Sequence, residues 1–170
     1  MLSVTALRDL LTYTAWASRR LVDAAAQLTP DQLVRDFGTA DKSVLGTLVH
    51  IFAADRVWMS RVEGIAPTAF VSSADYHLSV LQNDWPEVHH RWLHWVDGLT
   101  DEAAAATISY PDLRGNRWQQ PPWQIVLHVV NHGTHHRGQV SGFLRAMGET
   151  PAPVDLSMFY RTRATGAHSS

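Results

Sequence analysis

The sequence of 170 residues contains no cysteine. This absence excludes disulfide bonds, zinc sites built from thiolates, iron–sulfur clusters and a cysteine nucleophile. Any nucleophilic sulfur that the protein uses must therefore arrive on a substrate.

The chain also lacks an excess of charge of one sign and any long hydrophobic run. It has 14 Lys and Arg against 16 Asp and Glu, with a formal net charge of -2 at pH 7. Nucleic-acid binders and polybasic membrane anchors depend on concentrated positive charge. No stretch approaches the roughly 20 apolar residues of a membrane span, and the first residues do not resemble a signal peptide. We expect a soluble, cytoplasmic protein that binds neither nucleic acid nor membrane.

The composition is that of a globular protein, with 45% hydrophobic and 18% charged residues. The length fits one folded unit. We predict a single domain over residues 1–164 and a flexible tail over residues 165–170. Two residue types are conspicuous, since the chain has ten histidines and seven tryptophans.

Hydrophobic periodicity predicts four long helices. The first covers about residues 4–28, and the second begins at Ser43 and ends at residue 61 or 62. The third begins at residue 72 or 73 and ends at 98, and the fourth begins at residue 121 or 122 and ends at about 147. Pro86 predicts a kink or a break in the third helix. Residues 107–110 and 117–119 read as a small hairpin, and residues 150–170 mostly as loop. Helices of this length bury their apolar stripes best by packing together. The fold class is therefore all-α, a four-helix bundle with a small irregular or hairpin insertion between helices three and four.

The fourth helix carries four histidines within nine residues, namely His128, His132, His135 and His136. Residues four apart lie about 40° from one another around a helix, so these side chains share the core-facing stripe. A buried imidazole needs a partner for each polar nitrogen, and a metal ion supplies one. Two histidines at i and i+4 form a known clamp for a divalent metal. The alternative is a hydrogen-bonded core pair or a chance cluster.

The second helix offers a third ligand, His50. Small side chains such as Gly46 and Ala53 lie beside it and leave space around its imidazole. A histidine here could complete a three-histidine site with the clamp on the fourth helix. The alternative is a core histidine bonded to an ordinary acceptor.

Other polar residues are weaker candidates. Gln139 and Asn131 could orient ligand histidines from behind, and the possible proton carriers are Tyr13, Asp55, Asp84 and Glu87. We expect Asp55 and Arg56 at a surface or an interface. His89, His90 and His94 are expected to pack among the tryptophans of the third helix. Arg137 lies some 140° from His132 around the helix, which predicts an ion pair with a neighbouring helix or a dimer partner.

Three segments resemble the DinB/YfiT-like family. They are Tyr13-Thr-Ala-Trp16 with Arg20-Leu21, then Leu45-Gly-Thr-Leu-Val-His50 continuing to Trp58 and Gly64, and Asn131-His-Gly-Thr-His-His136-Arg-Gly-Gln139. The last is similar to the family signature His-x-x-x-His-Arg-Gly-Gln. The resemblance spans almost the whole chain in the right order, although Ser18 stands where many relatives have asparagine. This family is unrelated to the DNA-repair polymerases of similar name.

The resemblance implies a bundle in which His50, His132 and His136 bind one divalent metal, with His128 and His135 in supporting or structural roles. It also implies a homodimer. Imidazole ligands suit zinc or nickel, and also manganese or iron.

Three neutral imidazoles would leave the ion with its full charge and an open position, a pattern typical of catalytic sites. Characterised branches of the family resemble enzymes that add a low-molecular-weight thiol, such as bacillithiol or mycothiol, to an electrophile, or metal-dependent hydrolases. We place the thiol transferase ahead, in which a metal-bound thiolate attacks an electrophilic small-molecule substrate. The second uses metal-activated water. A third possibility is a non-enzymatic, stress-related metal-binding protein.

Overall fold

The computed structural model describes residues 2–67 and 69–166, and is mainly helical. The helices are α1 (Val4–Ala25), α2 (Pro30–Val34), α3 (Val44–Val62), α4 (Leu78–Asp97), α5 (Asp101–Ala105), α6 (Pro122–Ala146) and α7 (Leu156–Gly166). Two short strands, β1 (Ile108–Pro111) and β2 (Arg117–Gln120), lie between α5 and α6, and a 3-10 turn spans Ser73–Asp75. None of the helices in the described residues is long and apolar enough to cross a membrane.

The four long helices α1, α3, α4 and α6 form the predicted bundle. Helix α1 packs against α4 and α6, and α3 packs against the same two helices. Helix α3 is apolar on nearly every side, and most of its residues are buried inside this one chain. The all-α fold class is thereby confirmed.

The helix ends follow from local chemistry. The Ser43 hydroxyl accepts a hydrogen bond from the Gly46 N–H at 3.1 Å, which caps α3 as predicted. Helix α6 begins with Pro122, whose missing N–H costs nothing in a first turn. The hairpin is also confirmed, as antiparallel strands that pair Tyr110 with Trp118.

Several boundaries differ from the prediction. Helix α1 ends at Ala25 rather than at residue 28. The third predicted helix begins at Leu78 rather than at 72 or 73, because a 3-10 turn and two further residues occupy the positions before it. Helix α4 continues through Pro86 without a break. A proline removes one helix hydrogen bond, and the buried tryptophans of α4 hold the remaining turns in place.

The expectation of a mostly irregular segment after residue 150 is wrong. Helix α7 covers Leu156–Gly166, and its Phe159 packs edge-on against Tyr13 with ring centroids 5.7 Å apart. The Tyr13 hydroxyl donates to the carbonyl of Val154 at 2.9 Å and fixes the approach to α7. Residues 167–170 of the predicted flexible tail lie outside the described residues. The single-domain boundary at 164 stays a prediction.

Candidate metal centre

Three of the predicted histidines meet on one side of the bundle, between α3 and α6. His50 comes from the second turn of α3, and His132 and His136 come from successive turns of α6. Each offers one ring nitrogen, and these three atoms lie within 4.8 Å of one another. Among the described residues this is the one group of three or more potential ligands with metal-binding spacing.

The Nε2 atoms of His50 and His132 lie 3.0 Å apart. Two imidazole nitrogens on one tetrahedral zinc ion lie roughly 3.3 Å apart, since each Zn–N bond is about 2.0 Å. A hydrogen bond between these two rings would also fit this distance, but it would not account for the third ring. His136 lies with its ring centroid 4.4 Å from that of His50 and 4.5 Å from that of His132.

The outer nitrogens of two of these rings face protein acceptors. His50 Nδ1 lies 3.3 Å from the Asp41 carboxylate, and His136 Nδ1 lies 2.7 Å from the amide oxygen of Gln139. The second Asp41 oxygen lies 3.9 Å from the same His136 nitrogen. Such partners place the proton on Nδ1 and leave the Nε2 lone pair free, as is usual for metal-binding histidines.

His132 differs, because its Nδ1 is buried and has no hydrogen-bond partner among the described residues. Burial and, to a smaller extent, the neighbouring His136 and His50 together lower the pKa of His132 to about 4. Burial also lowers the pKa of His136. These two rings are therefore neutral at pH 7 and can offer their lone pairs, so the donor set fits a divalent ion.

Asp41 was not identified from the sequence, and it reaches the cluster because of Gly46. A Cβ atom at Gly46 would lie 2.0 Å from the carbonyl oxygen of Asp41. Only glycine allows the backbone of residue 41 to lie so close to the first turn of α3. The glycine inside the second-helix motif was the one available signal, since no spacing rule links Asp41 to His50.

The cluster is open to solvent on one side. The side chain of His50 is 26% exposed and that of Asp41 24% exposed, whereas His136 is 13% exposed. Phe70, on the loop after α3, packs edge-on against His50 with ring centroids 5.3 Å apart. The opening thus has one apolar wall and one carboxylate.

The other two histidines of α6 lie at the surface. His128 stacks against His132 with centroids 5.8 Å apart and contacts Trp58 at 4.9 Å. His135 is exposed and packs against His136 at 4.8 Å. Both therefore touch a ring of the cluster, while neither belongs to the group with metal-binding spacing.

Asp55 was expected at a surface or an interface, but it is buried inside this chain. Its side chain is 1% exposed, and its Oδ2 accepts a hydrogen bond from the Trp85 indole at 2.8 Å. Its partly exposed neighbour Arg56 pairs with Asp75 at 2.8 Å. Both contacts join α3 to segments that follow it in the chain. The adjacent charges of Asp55 and Arg56 in the sequence do not predict these contacts.

Arg137 points towards a neighbouring helix as predicted, but it makes no ion pair with the described residues. Its guanidinium is buried and donates to the hydroxyl groups of Ser18 on α1 and Thr134. It also lies 5.2 Å from the ring centroid of Tyr13. Burial lowers the pKa of Arg137.

Three of the candidate proton carriers are poorly placed to serve the cluster. The Tyr13 hydroxyl is hydrogen-bonded to the Val154 carbonyl, and Asp84 and Glu87 are exposed on α4.

Comparison with known proteins gives consistent matches. The model of the DinB family matches residues 1–166. Protein DinB of Bacillus subtilis is 20% identical over 158 residues, covering 88% of this chain and 91% of that protein. The uncharacterized protein YizA of the same organism is 26% identical over 137 residues, covering 80% and 83%. A crystal structure of a DinB-like protein from Bacillus cereus superposes with a TM-score of 0.61 at 19% identity, covering 86% of this chain and 95% of that one.

Proposed function

This chain belongs to the DinB family, and because His50, His132 and His136 converge on one point in it, we propose that it is a divalent-metal-dependent enzyme. We assign it the transfer of a low-molecular-weight thiol of the bacillithiol type to an electrophilic small molecule. The observation that carries this proposal is the meeting of three imidazole nitrogens within 4.8 Å beside an opening to solvent.

The three histidines would hold the ion, with zinc or nickel favoured and manganese or iron as alternatives. Such an ion, when bound, supplies a positive charge that favours the anionic form of a nucleophile near neutral pH. Asp41 orients His50, and Gln139 orients His136, through their contacts with Nδ1. These contacts keep both Nε2 atoms directed at the common point.

The surroundings of the cluster suit a thiol and an apolar electrophile. The chain has no cysteine, so the sulfur must come from a second molecule. Phe70 gives the opening an apolar wall beside His50.

The test uses purified protein loaded with Zn²⁺ or Ni²⁺, bacillithiol and 1-chloro-2,4-dinitrobenzene. Transfer forms a carbon–sulfur bond, breaks the carbon–chlorine bond and releases chloride and one proton. We expect thiol loss and chloride release to be accelerated by the loaded protein and by His94→Ala, but not by His132→Ala. His94 is an exposed residue of α4, outside the cluster. Equal rates for the two variants would contradict the proposal.

Hydrolysis is the second candidate, and Asp41 favours it. A carboxylate beside a metal-binding cluster can act as a general base for water, a role that thiol transfer does not strictly need. A hydrolase would cleave p-nitrophenyl acetate without any thiol, and Asp41→Asn would slow that cleavage. A stress-related binding protein would lose stability on chelation and show no turnover in either assay.

A homodimer and a cytoplasmic location remain part of this proposal. The apolar surface of α3 lies inside this chain, so it supplies no argument for a partner. The mass in solution, measured by light scattering, decides the oligomeric state.

A further inference from the structure

A groove of about 620 Å³ runs between α1 and α4, a different pair of helices from the two that carry the histidine cluster. This volume lies in the range of small-molecule sites, about 300–1,000 Å³. Leu81 and Leu93 of α4 contribute to its apolar lining, whereas a few polar groups interrupt that lining. The polar groups determine what the groove can bind.

His89 lines the groove with its side chain nine-tenths buried. Its Nε2 lies 3.5 Å from Oδ2 of the buried Asp55, a distance longer than an ordinary hydrogen bond. Asp55 is held in turn by the indole N–H of Trp85. His89 therefore has a carboxylate behind it that is itself fixed in place.

The position of Asp55 favours one tautomer of His89. Neither His89 Nε2 nor Asp55 Oδ1 has a hydrogen-bond partner among the described residues. A carboxylate only accepts hydrogen bonds, so the tautomer that directs an Nε2–H towards Asp55 is favoured over its alternative. In that tautomer the lone pair is on Nδ1, and His89 presents a hydrogen-bond acceptor to the groove.

The walls are aromatic, and the charges at the rim balance. Trp85 stacks on His89 with ring centroids 5.5 Å apart and an angle of 26°, and Trp16 contributes to the lining from α1. Arg19 and Asp23 also line the groove and pair with each other at 3.8 Å. Trp85 is only 1% exposed, so the aromatic wall that a ligand can contact is the partly exposed Trp16. The match is a neutral ring that packs against Trp16 and carries a donor.

We propose that this groove binds a neutral aromatic small molecule with an O–H or N–H donor, and that His89 Nδ1 accepts the hydrogen bond. Asp55 is a positioning residue in this site, because it lies behind His89 Nε2 and does not line the groove. The site is independent of the proposed metal chemistry.

The test compares p-cresol with 4-methylanisole, which has the same ring and no donor, by NMR titration of the full chain. A neutral hydrogen bond contributes about 1 kcal/mol, so p-cresol should bind several-fold to tenfold more tightly. The preference should vanish in His89→Phe, which keeps a ring against Trp85. The preference for p-cresol should persist in His94→Phe, because His94 lies outside the groove. It should also persist in His132→Ala, which shows that the groove binds its ligand independently of the metal site.

Equal affinity for the two probes in the wild type, or an undiminished preference in His89→Phe, would overturn the proposal. If His89→Phe does not fold, the wild-type spectrum decides. p-Cresol must shift the indole N–H signal of Trp85 and leave that of Trp118, on the exposed hairpin, unchanged. A groove covered by a second copy of the chain, with no response of Trp85 to p-cresol, also refutes it.

Discussion

The carbonyl oxygen of Asp41 lies only 2.0 Å from the position that a Cβ atom would occupy at Gly46. The backbone before α3 thus folds onto the first turn of that helix, and this brings the Asp41 carboxylate to 3.3 Å from His50 Nδ1. One glycine therefore couples the start of α3 to the orientation of a candidate metal ligand.

Gly46→Ala should move Asp41 away from His50. The added methyl group meets backbone rather than a flexible side chain, so we expect a loss of about 1–3 kcal/mol in the free energy of unfolding. Zinc affinity should fall as well, by about tenfold or more, because a second-sphere contact is lost. Urea unfolding and a zinc titration measure the two effects.

Gly142→Ala is the matched control, since nothing lies within 4 Å of a Cβ atom there and the residue is exposed on α6. Alanine should be neutral or stabilising by up to about 1 kcal/mol at that helical position. Identical behaviour of the two variants would show that Asp41 tolerates the extra methyl group.

His132→Ala should abolish stable metal binding, because it removes the ring that faces both other histidines. Protein prepared with Zn²⁺ and then dialysed should hold about one ion per chain in the wild type and in His94→Ala, and close to none in His132→Ala. Elemental analysis gives these contents directly. Similar zinc contents in the two variants would refute the three-histidine assignment.

Acid should release the metal, because protons compete for the same ring nitrogens. The pKa of His132 is about 4, below its ordinary value near 6.5, because burial disfavours the charged ring. That ring therefore stays neutral at pH 6 and becomes protonated as the pH falls through about 4. We expect zinc to be retained at pH 6 and released at pH 4, as measured by dialysis against a chelator at each pH. Unchanged retention at pH 4 would argue against histidine ligands.

Asp75→Asn should destabilise the protein at pH 7 and have little effect in strong acid. The hydrogen bonds from Arg56 hold the pKa of Asp75 below its usual 3.8. This stabilisation is complete above pH 3.8 and is lost as the pH falls through the lowered folded pKa. A hydrogen bond to a charged group is worth about 1.5–3 kcal/mol, which is the loss expected at pH 7.

Urea unfolding of the wild type and Asp75→Asn at pH 7 and in strong acid measures this difference. Glu149→Gln, at an exposed position whose carboxylate makes no hydrogen bond or ion pair among the described residues, should change stability by less than about 0.5 kcal/mol at either pH. If the difference in the free energy of unfolding between the wild type and Asp75→Asn stays constant with pH, the ion pair is not its cause.

Much of the fold could be predicted, because its signals are local. Ser43 marks the start of α3, the two prolines at 121 and 122 mark the start of α6, and the turn between β1 and β2 marks the hairpin. Helix α7 was missed because its amphipathic pattern is weak. Contacts such as that of Phe159 with Tyr13 on α1 hold it against the bundle.

The candidate site, too, could be predicted only in part from the sequence. The spacing of His132 and His136 fixes their common helix face before any packing occurs. The burial of Asp55 was unpredictable, because an acidic residue is normally exposed, and the two indoles that donate to it lie on another helix, Trp85 to its carboxylate and Trp92 to its backbone carbonyl.

The sequence by itself therefore determined the four long helices, their apolar faces and the placement of two histidines on one face of α6. Only the tertiary structure decided that His50 reaches that pair and that Asp41 lies behind it. The physical reason is range: periodicity acts over a few residues of one helix, whereas the distance between two helices depends on how every side chain between them packs.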